Sequence, residues 1–114
     1  MKQLTLAIVL FFAGQSLIWF QTNGQFISVW AKKNPLIISV LGGTVISYMF
    51  IKATALIAGY YDGALWPGRF IGFSMGITSF AFLTWYFLDE GINIKTAVSL
   101  CLAFALISVQ LFWK

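Results

Sequence analysis

A chain of 114 residues that is 61% hydrophobic and only 9% charged has too few polar groups for a water-facing surface, because soluble domains carry about 25% charged residues. Its net charge of +4 comes from basic residues scattered among helix ends and loops, without the stripe or patch that a nucleic-acid partner requires. With no histidine and Cys101 as the single cysteine, neither an intrachain disulfide framework nor a thiolate–imidazole metal cage can form, and no metal or cofactor is expected.

Lipid offers the backbone no hydrogen-bond partners, so spanning segments must be helices or a closed barrel. Long apolar runs without period-two alternation exclude the barrel and predict an all-α integral membrane protein, one transmembrane domain over residues 1–114. The first span is expected over about residues 4–20. Lys2 and the run Leu4 to Phe12 imitate a secretory signal, but the run continues through Phe20 and Ala13-Gly14-Gln15 is a poor cleavage site, so the segment is expected to be retained. A loop from Gln21 to Asn34 opens on the turn pair Asn23-Gly24. It carries Phe26, Ile27, Val29 and Trp30 ahead of Lys32 and Lys33, a mixture suited to the membrane interface. Asn34 and Pro35 read as an N-cap and a first helical position, opening a second span over 35–60. Asp62-Gly63 is a turn short enough only for an antiparallel hairpin, and a third span follows over 64–88. After Asp89-Glu90-Gly91, Asn93 is expected to cap a fourth span over 95–113. Tyr60, Tyr61, Trp66, Trp85, Tyr86 and Trp113 lie near span ends, as aromatic belts do.

Small residues recur every fourth position, as Ala64, Gly68, Gly72 and Gly76 in the third span, Ser39, Gly43 and Ser47 in the second, and Ala97, Cys101 and Ala105 in the fourth. Such stripes let helix backbones approach closely in lipid, where apolar attraction between helices is nearly cancelled by the tails. Three stripes are more than two hairpins need, so at least one is expected to serve an oligomer. Cys101 on its stripe reads as a small packing residue rather than a reactive thiol.

Among polar groups within the spans, Gln15 shares a face with Phe12, Trp19 and Thr22 and must bond across helices or contact a ligand, since an unpaired amide in hydrocarbon is costly. Lys52 and Arg69 fall roughly 13 and 8 Å from the Asp62-Gly63 turn at about 1.5 Å per residue, on the same side of the bilayer. Each can snorkel to the headgroups or pair with Asp62; alternatively, the two cations line a shallow cavity that receives a polar or anionic group. Gln15, Trp19, Lys52, Trp66 and Arg69 are thus the candidate substrate-contacting residues. Gly68, Gly72, Gly76, Ala97, Cys101 and Ala105 are the candidate packing and dimer residues. Asp62, Asp89 and Glu90 lie at helix ends, which leaves a transmembrane proton relay no acidic residue, and no nucleophile sits beside a base, so an enzyme is not expected.

The side of the termini carries Lys2, Lys52, Arg69 and Lys114, against Lys32, Lys33 and Lys95 on the other, so orientation is weakly specified. In layout the chain resembles the drug/metabolite transporter superfamily, in particular its four-helix members, the small multidrug resistance proteins. The resemblance covers a span, a short amphipathic loop, a span, a tight turn, a glycine-striped third span and the aromatic-acidic-glycine junction Phe82-Leu83-Thr84-Trp85-Tyr86-Phe87-Leu88-Asp89-Glu90-Gly91-Ile92. One departure matters: where those proteins carry a membrane-embedded glutamate in the first helix, this chain has Gln15, which cannot titrate. Proton-coupled export of cations is therefore not carried over. The resemblance implies a transporter or flippase subunit for a polar or anionic metabolite or lipid-linked group, working as a homodimer, with the two copies oppositely inserted. The other reading is a non-transporting helical subunit that stabilises a membrane partner protein. The expected location is the cell membrane, as a multi-pass protein, the inner membrane in a Gram-negative host.

Overall fold

The computed structural model describes residues 2–113; Met1 and Lys114, with the latter's part in the charge balance, lie outside them. Five α-helices follow in order: α1 (Lys2–Asn23), α2 (Val29–Lys33), α3 (Pro35–Tyr60), α4 (Trp66–Leu88) and α5 (Ile94–Phe112), with a 3-10 turn at Gly24–Phe26. All but α2 are long and apolar enough to cross a membrane. Their outward faces carry large aliphatic side chains such as Leu36, Leu41, Ile51 and Leu102, as expected where the surrounding medium is hydrocarbon.

Local chemistry sets the boundaries. Ser28 accepts a hydrogen bond from the Ala31 N–H and opens α2, whose last turn holds Lys32 and Lys33. Asn34 does not cap α3 as expected: its Nδ2 donates to the Trp30 carbonyl at 2.8 Å, so the side chain closes the helix before it rather than the helix after it. Asn93 does cap α5, accepting from the Thr96 N–H at 2.8 Å. The α3–α4 hairpin turns at Asp62 (φ 56°) and Gly63 (φ 92°), and α4 ends on Asp89 in the left-handed region. The third span begins two residues later than expected, at Trp66, because Pro67 fits only the first helical turn; Ala64 is outside the helix and does not extend the glycine stripe.

α1 is the centre of the bundle, packing antiparallel on α3 and parallel on α4, while α5 packs mainly on α4. Ala7, Phe11, Ala53, Ile57 and Ile71 form the core in the half that holds the N-terminus. Leu111, near the end of α5, packs on the same cluster, which places the start of α1 and the end of α5 on one side. In the other half Trp19, 2% exposed, donates from Nε1 to Thr84 Oγ1 at 2.9 Å and leans on Phe87.

Three glutamines of α1 each lie over a glycine of a neighbouring helix. Gln3 lies over Gly59, Gln15 over Gly76 and Gln21 over Gly42. Gln15 Nε2 donates to the Gly72 carbonyl at 3.1 Å, and Gln21 Nε2 to the Ile38 carbonyl at 3.3 Å. A glycine lets the amide come down onto the opposing backbone, and the carbonyl gives it a partner that lipid cannot. Thr84→Val leaves the Trp19 N–H unpartnered in a buried site, and unfolding in detergent micelles is expected to show a loss of about 1–2 kcal/mol, with Thr84→Ser close to wild type.

A cleft between α3 and α4

α3 and α4 touch near their shared turn, where Ile57 meets Gly68, and separate beyond it. The space between them is a cleft of about 760 Å³, floored by Phe11 and Gln15 of α1 and walled by Phe50 and Thr54 on one side and by α4 from Trp66 to Ile77 on the other. Since its walls are spanning segments, its open side faces the membrane.

Polar side chains are few in the cleft, and Thr54 brings the one hydroxyl of its lining. Ser16, Thr22, Thr44, Thr78 and Ser99 each donate to the carbonyl four residues back. Besides Thr54, the cleft is polar at two levels. Arg69, three residues into α4 and so roughly 5 Å from its start, stands at the mouth, the end of the cleft nearest the α3–α4 turn. Among the described residues no carboxylate lies within ion-pair distance of it, so Asp62 does not neutralise it. Gln15 lies at the inner end, at the level of Gly72 and Gly76, roughly 10 Å further along α4. One of its two amide N–H groups is spent on the Gly72 carbonyl. Trp66, 65% exposed, stacks on Phe70 at 6.1 Å between centroids beside the mouth.

Of the five residues expected to contact a substrate, three meet here: Gln15, Trp66 and Arg69. Trp19 does not. It shares the Gln15 face, but above Gly76 α1 and α4 close on each other and the indole fills the seam. Lys52 does not either. It lies on the outer face of α3, with Nζ 5.6 Å from the centroid of the Tyr48 ring one turn back, so it turns along its own helix rather than into the cleft. Lys52 and Arg69 thus do not share this cleft. Phe50 and Phe73 line the cleft and were not singled out from the sequence, where nothing separates them from other lipid-facing rings.

The packing residues divide the same way. Gly68, Gly72 and Gly76 are used inside the chain, against Ile57, Phe11 and Gln15. Ala97, Cys101 and Ala105 are exposed on the outer face of α5, which buries only Ile107. Along the α4–α5 seam a second groove of about 350 Å³ reaches from Phe73 to Glu90 and Thr96, so α5 is loosely seated. Comparisons with protein-family models, curated proteins and solved structures find no match to this chain.

Proposed function

We propose that the protein is a small membrane transporter or flippase subunit of the drug/metabolite transporter type, moving a polar or anionic metabolite or lipid-linked group across the cell membrane as a dimer. The observation that carries the reading is the cleft: an apolar slot open to the membrane, cationic at its mouth and ending on an amide near mid-depth. Intramembrane charges usually mark such paths. One four-helix chain cannot enclose a path on all sides, and the uncovered Ala97, Cys101, Ala105 face of α5 offers a second copy close contact.

One observation favours the second reading, a non-transporting subunit of a larger complex. Lys52 lies on an outer face, about 12 Å from the end of α3, where a charge facing lipid is costly unless a partner covers it. Flux in proteoliposomes separates the two. Arg69→Ala is expected to abolish uptake of the transported anion and Lys52→Ala to leave it near wild type. If Lys52→Ala instead strips a co-purifying membrane partner while no anion is moved by the wild type, the protein is an interaction subunit.

A further inference from the structure

We infer that the α3–α4 cleft takes its ligand sideways from the lipid, and that this ligand is an anionic membrane amphiphile whose headgroup rests on Arg69 and whose chain lies along Phe50, Phe73 and Ile77. The inference rests on the transport reading for its purpose but not for its chemistry.

Three features converge on it. Arg69 is a cation at the depth of lipid phosphates, with no carboxylate of the described residues to neutralise it, so the mouth complements an anion already held at the membrane surface. Below it, over the roughly 10 Å from Arg69 to Gly76 along the helix, the walls are rings and aliphatic side chains apart from the Thr54 hydroxyl, and a water-soluble anion would leave most of that length unfilled. Gln15 at the inner end spends one of its two amide N–H groups on the Gly72 carbonyl, and as a neutral amide it offers an anion no charge at that depth. An anionic head above a hydrocarbon chain matches this order of groups; a free metabolite matches only its outermost residue. The arginine is suited to the task because its guanidinium binds phosphate oxygens in pairs.

The test is photolabelling of the intact chain in phosphatidylcholine vesicles that contain a trace of phosphatidylglycerol or, in a parallel sample, phosphatidylcholine, each with a diazirine midway along one acyl chain. Peptides carrying Phe50, Phe73 or Ile77 are expected to be labelled about fivefold more by the anionic lipid, the factor that one basic residue at the headgroup surface contributes. Arg69→Gln should bring labelling down to the zwitterionic level, Arg69→Lys should keep most of the preference, and Lys52→Gln should change nothing. Excess glycerol phosphate in the water should not compete. Equal labelling by both lipids means ordinary boundary lipid and overturns the inference. So does an equal loss in Lys52→Gln, competition by the soluble phosphate, or protection of the cleft by a helix of a second copy. Labelling needs no flux: selective labelling without transport leaves this site standing and removes the transport reading, whereas transport without selective labelling does the reverse.

Discussion

Replacing Gly76 or Gly68 by leucine is expected to remove most folded protein. A Cβ at Gly76 would lie 2.9 Å from Gln15 Cδ, and the amide cannot retreat without losing its 3.1 Å bond to the Gly72 carbonyl. At Gly68 the obstacle is stiffer, since a Cβ would lie 2.8 Å from Cγ2 of Ile57, a β-branched side chain that is 1% exposed. Overpacking costs about 1–3 kcal/mol even for modest insertions, and at Gly76 the interhelical hydrogen bond, worth roughly 1 kcal/mol, is lost as well. Helix approach in lipid rests on close contact, so little remains to hold α4 on α1 once the backbones are forced apart. Thermal unfolding in micelles should show both variants with a lowered midpoint or no cooperative transition. Gly91→Ala, where a Cβ meets nothing within 4 Å, should match wild type. A stable Gly76→Leu protein would mean that α1 does not pack on α4 in this register.

The spans, the Asp62-Gly63 turn, the Asn93 cap and the glycine stripe could all be read from residue order, because each is local: apolar length, a left-handed turn residue, a capping side chain, a period of four. Which way a side chain points could not. A soluble helix reveals its inner face by contrast with a polar outer face; a span that is apolar all round carries no such contrast. Lys52 illustrates this. Depth along α3 is fixed by counting, but the face that meets α1 holds Ile46, Phe50, Ala53 and Ile57, and Lys52, one position before Ala53, is turned about 100° away from it. Arg69 next to the packed Gly68 is turned by the same angle, yet it borders the cleft, whose lining runs along α4 from Trp66 past Gly68 to Ile77. The separation of α3 from α4 is a tertiary fact, set by Ile57 on Gly68 and Phe50 over Gly14, and no neighbouring residues announce it. Asn34 failed as a cap for a related reason. With Trp30 C=O one turn behind it, the amide had two partners within reach, and the carbonyl at the end of α2 took the N–H.

On the proposed dimer, oxidation of membranes is expected to link two chains through Cys101, and moving that cysteine decides how the copies are inserted. Cys101 is exposed, is the single cysteine, and lies near the middle of α5, on the face left uncovered by α4. A two-fold axis through the centre of the Ala97, Cys101, Ala105 stripe brings Cys101 to its own copy whether the chains run parallel or antiparallel, so this crosslink reports only that α5 meets α5. The flanking positions differ. In a parallel pair Ala97 meets Ala97 of the partner subunit; in an antiparallel pair it meets Ala105 of the partner subunit, the two positions being equally distant from Cys101. The alternatives are roughly 12 Å apart along the helix, whereas a disulfide needs Cα atoms within about 7 Å, so the two patterns cannot be confused. In a Cys101→Ala background, Ala97→Cys alone should not crosslink, and Ala97→Cys co-expressed with Ala105→Cys should give a mixed dimer. The antiparallel outcome is favoured by the near balance of Lys2, Lys52 and Arg69 against Lys32, Lys33 and Lys95, and by repulsion, since it sends the Arg69 clefts of the two copies to opposite membrane surfaces. Crosslinking of Ala97→Cys by itself would establish a parallel dimer with both clefts open to one leaflet. No crosslink at any of the three positions would mean that α5 faces lipid or a different protein.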